Sequence, residues 1–285
     1  MNGWHDRRIL DLFNIDLPIL QGPMAGVSTP QMAIAVSEAG GLGSLACAQL
    51  SLGQARTDLA AIRQATRRPI NVNFFCHKPP APEPDRIARW RALLAPYYRE
   101  FGLDPEGPIP ATNRVPFDDG FCALVEEARP EVVSFHFGLP ERSLLDRARA
   151  TGAKIISSAT TVAEARWLEE RGVDAVIAMG FEAGGHRGNF LSDDMARQAG
   201  TFALVPQVVD AVKVPVIAAG GIADARGIVA AFALGASAVQ IGTAYMLSPE
   251  ARLSEPHRQA LRNVTDDVTV ITNLFTGRPA RGIVN

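Results

Sequence analysis

The sequence has few cysteines and almost no net charge, and these two shortages exclude several classes of protein. Its 285 residues include three cysteines, an odd number without metal-ligand spacing, at Cys47, Cys76 and Cys122. We interpret them as reduced thiols, because a disulfide framework or a zinc site needs paired or clustered cysteines. The net charge of −2 gives no electrostatic reason to expect binding to nucleic acid or to an anionic membrane surface.

Long apolar runs are also missing. No run is long enough to cross a bilayer, and the polar segment 1–7 lacks the apolar stretch of a secretory signal peptide. We therefore predict a soluble, cytoplasmic protein without a membrane partner. With 47% hydrophobic residues, the chain has enough apolar side chains to bury a large core.

Short apolar segments alternate with amphipathic helical patterns along the chain. The segments that predict strands are 17–21, 42–46, 70–75, 132–135, 154–158, 175–178, 215–219 and 238–241. Eight β/α units in one chain predict an α/β protein with a (β/α)8 TIM barrel, formed by residues 1–285 as one domain. Alternation alone does not show closure, so an open doubly wound sheet is the alternative.

An insertion follows the third predicted strand. Residues 76–116 contain nine prolines and a helical pattern near 85–100. Loops of this length are usually functional, so we expect either a lid over the site or a contact between subunits. The second alternative leaves a homodimer open.

The loop after the sixth predicted strand combines glycines with one histidine. Segment 180–188 reads GFEAGGHRG, and (β/α)8 barrels carry their active sites at this end of the strands. Glycine lets backbone approach a ligand closely, and histidine transfers protons near neutral pH. We interpret the loop as part of an active site that contains His186. The alternative is a glycine-rich turn with an incidental histidine.

Two further glycine clusters predict a phosphate site. Gly220-Gly221 follows the seventh predicted strand, and Gly242-Thr243 follows the eighth. Backbone N–H groups of these two loops, with helix N-termini behind them, form the usual phosphate site of such barrels. The alternative is a tight turn followed by an ordinary helix cap.

Five motifs together resemble the nitronate monooxygenase family, formerly called 2-nitropropane dioxygenases. They are PILQGPMAG at 18–26, NVN at 71–73, EAGGHRG at 182–188, AGGIAD at 219–224 and QIGT at 240–243. The resemblance covers nearly the whole chain. It implies an FMN-dependent TIM barrel that oxidises alkyl nitronates, of the propionate 3-nitronate type, with molecular oxygen (O2).

The resemblance also implies a role for individual residues. His186 would be the catalytic acid/base, in agreement with the base that a carbon acid such as a nitroalkane needs. His136 and Arg187 would contact the substrate. By the same resemblance, FMN would contact Pro23, Met24, Ala25, Asn73, Gly184, Gly185, Gly220, Gly221, Gln240, Ile241, Gly242 and Thr243.

Some positions keep a second interpretation or depart from the family's pattern. His136 is either a substrate contact or a core histidine satisfied by backbone, and Glu182 either orients His186 or caps a helix. Met179 stands where the family commonly has glutamine, which removes an amide expected near the flavin. The sequence ends at Asn285, where members of the family usually continue with further helices.

Two other functions are alternatives. Flavin-dependent enoyl-acyl-carrier-protein reductases share the loop 182–186 and the segment 219–224, and they use NAD(P)H, as do related quinone reductases. The segment 134–138, SFHFG, and Arg187-Gly188 favour the nitronate enzyme. The alternative of another class is a flavin- or phosphate-binding barrel without turnover.

Overall fold

The computed structural model describes residues 3–79, 81, 83–108, 114–265 and 268–284. The strands are β1 (Ile19–Gln21), β2 (Gly43–Ala46), β3 (Ile70–Phe75), β4 (Val132–His136), β5 (Lys154–Ala159), β6 (Ala175–Met179), β7 (Gly185–His186), β8 (Val216–Ala219), β9 (Ala238–Ile241), β10 (Thr269–Thr272) and β11 (Ala280–Ile283). The helices are α1 (Arg8–Phe13), α2 (Pro30–Glu38), α3 (Leu52–Ala65), α4 (Pro84–Glu100), α5 (Asp119–Ala128), α6 (Arg142–Ala150), α7 (Val162–Glu170), α8 (Thr201–Ala211), α9 (Ala225–Ala233) and α10 (Glu255–Asn263).

Eight strands form one parallel sheet, in the order β1-β9-β8-β6-β5-β4-β3-β2. The first and last strands in this order, β1 and β2, are joined by hydrogen bonds between β1 and the residue just before β2. The N–H of Gln21 donates to the carbonyl of Leu42 at 2.9 Å, and the N–H of Leu42 donates to the carbonyl of Ile19 at 3.0 Å. This closure confirms the (β/α)8 barrel and excludes the open doubly wound sheet.

The barrel interior is apolar at one end and polar at the other. Successive side chains of a strand point to opposite faces, so residues two apart share a face. On β4, Val132 belongs to a buried apolar cluster with Ile156 of β5 and Ile217 of β8. Two and four residues further on, the same face of β4 carries Ser134 and His136. The polar side chains therefore collect at the C-terminal end of the strands.

Helix α1 closes the apolar end of the barrel. Its Ile9, Leu10 and Phe13 are at most 2% exposed and join the same buried cluster. A larger cluster lies between the outer face of the strands and the surrounding helices. Closing one end with apolar side chains leaves the opposite, polar end as the accessible mouth.

The predicted helical pattern near 85–100 corresponds to α4, a helix that packs loosely on the barrel. Only Ala95 of this helix is buried, whereas Trp90, Leu93 and Tyr97 are exposed. Part of the predicted insertion 76–116 lies outside the described residues, at positions 80, 82 and 109–113. The choice between a lid and a subunit contact, and with it the homodimer, stays a prediction.

Within the described part of the chain, every helix is too short or too polar to cross a membrane. The same residues include no cluster of three or more histidine, cysteine or acidic side chains that is placed to hold a metal ion.

Candidate active site

The mouth of the barrel is lined by amide and hydroxyl side chains that bond to one another. Asn73 on β3 donates to the hydroxyl and to the carbonyl of Ser134 on β4, at 2.9 and 3.2 Å. Deeper in the barrel, level with Val132, Asn71 donates to the Ser44 hydroxyl at 3.0 Å. These bonds cross from strand to strand, so they fix the floor of the site before any ligand binds.

A small antiparallel sheet covers one side of the mouth. Its strands run in the order β10-β11-β7, and Ala280 and Arg281 of β11 pair with His186 and Gly185 of β7. The N–H of Arg187 continues the ladder by donating to the carbonyl of Pro279 at 2.9 Å. The predicted histidine loop is thus held at the mouth by a chain segment almost a hundred residues further on.

His186 is partly buried, and among the described residues one hydroxyl lies within hydrogen-bond distance of its ring. Its Nε2 lies 2.9 Å from the hydroxyl of Thr276, in the turn between β10 and β11. Burial lowers the pKa of His186, and the charges of Arg114 and Arg278, with a smaller effect of His77, lower it further. The ring is therefore neutral at pH 7 and able to accept a proton.

Two phenyl rings flank His186. The rings of Phe75 and Phe137 both lie 6.2 Å from its imidazole, centroid to centroid, in edge-on orientation. Phe137 has a backbone φ of 68°, a left-handed conformation that is rare for a bulky side chain. Such conformations cluster at functional sites, and they persist only where the surrounding structure holds them in place.

His136 lies beneath the histidine loop and has partners on both ring nitrogens. Its Nε2 is 3.3 Å from the carbonyl of His186, so this nitrogen carries the proton and donates. Its Nδ1 accepts from the Ser158 hydroxyl at 2.7 Å. Burial, with a smaller effect of His186, lowers the pKa of His136 to about 3. Protein groups thus satisfy both nitrogens, as in the core-histidine alternative, and the predicted substrate contact stays a prediction.

Arg187 is buried beneath the loop that follows β6 and forms hydrogen bonds to its backbone. Its side chain is 1% exposed, and the guanidinium donates to the carbonyls of Gly180 at 2.6 Å and Met179 at 3.0 Å. It also donates to the amide oxygen of Gln198 at 2.7 Å. These contacts fix the turn that follows β6, and the predicted contact of Arg187 with the substrate stays a prediction.

Glu182 has the contacts of a helix cap. Its carboxylate accepts from the N–H and the hydroxyl of Thr201, at 2.7 and 2.9 Å, where α8 begins. A carboxylate at a helix N-terminus satisfies donors that have no partner inside the helix. This geometry corresponds to the capping alternative.

The loops predicted to hold a phosphate follow β8 and β9, and β8 is the neighbour of β6 in the sheet. A Cβ added to Gly184 would lie 3.0 Å from the hydroxyl of Thr243, so glycine is what lets the histidine loop approach this residue. Gly220 and Gly221 follow β8 with φ angles of +110° and +69°. The short 3₁₀ helix Thr243–Leu247 begins at Gly242 without a side-chain cap, and helix N-termini of this kind are common anion-binding sites.

Two other observations show that these residues fit a polar ligand. The amide oxygen of Gln240 is buried and has no hydrogen-bond partner among the described residues. A Cβ on Gly242 would have as its nearest neighbour within 4 Å the sulfur of Met24, at 3.9 Å, so space remains beside it. Space is therefore available beside Gly242, and the Gln240 oxygen can accept a hydrogen bond from a hydroxyl or N–H group of a ligand.

The loop after β1 contains three more of the predicted cofactor residues, and one of its backbone N–H groups bonds within the loop. Pro23, Met24 and Ala25 are partly exposed at the mouth. The N–H of Met24 donates to the Ser28 hydroxyl at 3.0 Å. This N–H is thus occupied within the loop, a detail that the motif alone does not reveal.

Sequence analysis did not identify Thr276 or Arg278 as neighbours of the site. Each is a common residue type in an ordinary context, and only the three-dimensional fold brings it to a histidine. The sequence does contain glycine and proline residues in segment 276–282, and these predict a turn there.

A closed barrel with its polar residues and a neutral histidine at the C-terminal mouth places the chain in the class of (β/α)8 enzymes. Comparison with known proteins narrows this class to an oxidoreductase. The profile of the family described as "Nitronate monooxygenase" matches residues 6–285. The chain therefore belongs to the nitronate monooxygenase family, as its motifs predicted.

Individual relatives agree with this assignment. A nitronate monooxygenase of Pseudomonas aeruginosa is 44% identical over 281 residues, which are 98% of this chain and 80% of that protein. One of Paraburkholderia phytofirmans is 41% identical over 280 residues, 98% of this chain and 76% of its own length.

Two solved structures superpose on the barrel. The nitroalkane oxidase of Streptomyces ansochromogenes superposes with a TM-score of 0.83 at 41% identity, over 98% of this chain and 79% of the other. FabK of Thermotoga maritima superposes with a TM-score of 0.75 at 34% identity, over 97% of this chain and 74% of the other.

Proposed function

We propose that the protein oxidises alkyl nitronates of the propionate 3-nitronate type with molecular oxygen, using FMN, and that His186 is its acid/base. The observation that carries the proposal is a partly buried imidazole at the mouth of the barrel, in the loop whose Gly184 approaches Thr243 of the phosphate-type cradle. A cradle for one phosphate group suits FMN, which carries a single terminal phosphate.

The chain's own residues would hold the cofactor at two points. The N–H groups that follow Gly221 and Gly242 would bind the phosphate, and Gln240 and Asn73 would contact the polar edge of the ring. When bound, the flavin supplies the electron transfer from substrate to dioxygen.

His186 would handle the proton. A neutral imidazole accepts the α-proton of a nitroalkane, and the imidazolium that results stabilises the nitronate anion by charge and hydrogen bonding. Because Thr276 contacts Nε2, the nitrogen left for the substrate is Nδ1. Phe75 and Phe137 limit the access of water to this nitrogen.

The test starts from the absorbance spectrum of the purified protein and its oxygen uptake with propionate 3-nitronate. We expect a flavin spectrum, nitronate-dependent oxygen consumption and no response to NADH. His186→Asn should lower kcat with a neutral nitroalkane, which must lose its α-proton, by about a hundredfold or more while the flavin stays bound, as expected for loss of an acid/base group. His257→Asn, an exposed histidine on α10, is the matched control and should leave the rate unchanged.

Two results would contradict the proposal in different ways. Anaerobic bleaching of the flavin by NADH, without nitronate-dependent oxygen uptake, would favour the reductase alternative. A flavin spectrum with no response to either donor would favour a barrel that binds without turnover.

A further inference from the structure

A line of four hydrogen-bonded side chains leads from the residue after His186 to α7. Its members are Arg187, Gln198, Thr160 and Glu164, and we call it the hydrogen-bond chain. The guanidinium of Arg187 donates to the amide oxygen of Gln198 at 2.7 Å, and the amide nitrogen of Gln198 donates to the Thr160 hydroxyl at 2.9 Å. The Thr160 hydroxyl donates to Oε2 of Glu164 at 2.7 Å.

The hydrogen-bond chain connects two buried charges that do not touch. Arg187 and Glu164 are each 1% exposed. Burial lowers the pKa of Arg187 to about 10, so its guanidinium is still charged at pH 7. Among the described residues, neither side chain forms an ion pair. Hydrogen bonds must therefore compensate for the cost of burying both charges.

All three bonds point the same way, from Arg187 to Glu164. A guanidinium can only donate, and both oxygens of Glu164 accept from backbone N–H groups, so the two ends fix this direction. Thr160 gives its one hydroxyl proton to Glu164, and its oxygen can then only accept from residue 198. That residue needs an acceptor at one end and a donor at the other, and glutamine has both. Bonds aligned in this way strengthen one another.

The C-terminal end of β5 thus holds the histidine loop at two points, through Ser158 and Thr160. Through the ring of His136, Ser158 is connected to the carbonyl of His186. Through the hydrogen-bond chain, Thr160 is connected to the guanidinium of Arg187. The carbonyl of His186 belongs to the peptide bond with Arg187, so the two connections act on neighbouring parts of the loop.

We propose that Gln198 is a positioning residue for His186. By joining Arg187 to Thr160 and Glu164, it holds the peptide that follows His186 and keeps the imidazole in its partly buried, reactive orientation. The inference rests on the proposed function for the role of His186, and it adds a residue that acts on this histidine through Arg187.

Two substitutions separate a connecting role from a simple contact with Arg187. Gln198→Met keeps the length of the side chain and removes both polar groups. Gln198→Glu offers Arg187 a carboxylate, which is the stronger partner of a guanidinium. It cannot donate to Thr160, however, and it brings a second carboxylate towards Glu164.

Both variants should lower kcat with a neutral nitroalkane by about tenfold or more, the value of a buried hydrogen bond to a charged group. The imidazole then spends less time in the reactive orientation. KM should stay within about threefold, because the interactions lost are not substrate contacts. If Gln198 served only as a partner of Arg187, glutamate would be the better residue and kcat would not fall.

A double variant tests the continuity of the hydrogen-bond chain. Gln198→Glu combined with Glu164→Gln reverses the bonds: the carboxylate at 198 accepts from Arg187 and Thr160, and the amide at 164 donates to the Thr160 oxygen. It should recover at least about threefold of the kcat lost in Gln198→Glu alone, whereas two independent losses would add. Recovery is incomplete because the Thr160 N–H loses its acceptor.

The ring of His186 can also be observed without turnover. Burial is the main cause of its lowered pKa, followed by the charges of Arg114 and Arg278. A loop that moves outward exposes the ring and raises this pKa towards its ordinary value. NMR titration of histidine-labelled protein should therefore show His186 titrating at higher pH in Gln198→Met, and the acid limb of kcat/KM should move with it. His186→Asn assigns the signal.

Gln207→Met and Gln207→Glu, at an exposed position of α8, are the matched controls and should change neither kcat nor the titration of His186. Two results would overturn the inference. A double variant no more active than Gln198→Glu would mean that the chain does not act as a unit. A Gln198→Met protein that is less stable, with kcat and the titration of His186 unchanged, would make Gln198 a structural residue only.

The two proposals can fail separately. Absence of oxygen uptake with both nitronates and nitroalkanes in the unmodified protein would contradict the proposed function. The NMR titration of His186 in the Gln198 variants would still decide whether Gln198 positions the ring.

Discussion

At the scale of single residues, Thr276 has the contact with the greatest consequence for His186. Its hydroxyl can donate to the carbonyl of Arg278, at 3.4 Å, and so accepts from Nε2 of the histidine. The bond made by one ring nitrogen decides which nitrogen is left to accept a proton. Thr276 is therefore a positioning residue that sets the orientation and the tautomer of the ring.

Thr276→Val should lower kcat/KM for a nitroalkane by about tenfold, the value of one hydrogen bond. The lost acceptor stabilised the protonated ring more than the neutral one, so its removal lowers the pKa of His186. The acid limb of the kcat/KM profile should then move to lower pH. Thr276→Ser keeps the hydroxyl and should restore both quantities, and a valine variant with an unchanged profile would contradict this role.

Gly188 is a position where close packing requires the absence of a side chain. A Cβ there would lie 2.7 Å from both Cε1 of His136 and the hydroxyl of Ser158. Gly188→Ala should therefore lower the free energy of unfolding by about 1–3 kcal/mol. Gly282→Ala, where nothing lies within 4 Å of the added carbon, is the control for denaturant titration. Equal free energies of unfolding for the two variants would show that the loop shifts to accommodate the methyl group, and would contradict the prediction.

At the scale of elements, the histidine loop depends on one buried carboxylate. Glu164 of α7 is 1% exposed, and its Oε1 accepts from the N–H groups of Phe190 and Leu191 at 2.7 and 3.1 Å. Its Oε2 accepts from the N–H and hydroxyl of Thr160, both at 2.7 Å. The carboxylate thus connects the segment after His186 to the end of β5.

Glu164→Gln should loosen this segment without unfolding the barrel. An amide has one acceptor oxygen where the carboxylate has two, so a pair of N–H groups loses its partner, at about 1–3 kcal/mol per buried group. Amide hydrogen exchange across residues 187–200 should accelerate about tenfold or more. Glu170→Gln, at an exposed position of the same helix, should leave exchange in the segment unchanged. Equal acceleration in both variants would contradict the anchoring role.

The elements differ in how far the sequence predicts them. Each barrel strand is a short apolar run followed by glycine or polar residues, and each overlaps a predicted segment. In contrast, β7, β10 and β11 have two to four residues and lie partly exposed, so hydrophobic periodicity is too weak to identify them. Arg187 bonds mostly to backbone carbonyls of its own loop. Every residue has such a carbonyl, so the pattern of side chains does not predict these hydrogen bonds.

At the scale of the whole molecule, burial of neutral histidines couples the stability of the barrel to pH. The pKa of His136 is about 3 in the folded protein and near 6.5 in an unfolded chain. Between these values the unfolded state binds a proton that the folded state does not. Stability is therefore complete above about pH 6.5 and declines as the pH falls.

Lowering the pH from 7.5 to 5 should reduce the free energy of unfolding by about 2 kcal/mol through His136 alone, from roughly 1.4 kcal/mol per pH unit below 6.5. The lowered pKa values of His186 and His77 act in the same direction. His136→Gln offers a neutral donor and acceptor for the same partners, so it isolates the contribution of His136. Urea titrations at the two pH values should show a smaller decrease in this variant, because its amide does not titrate while the other histidines are unchanged. An equal decrease in both proteins would mean that protonation of His136 does not limit acid stability.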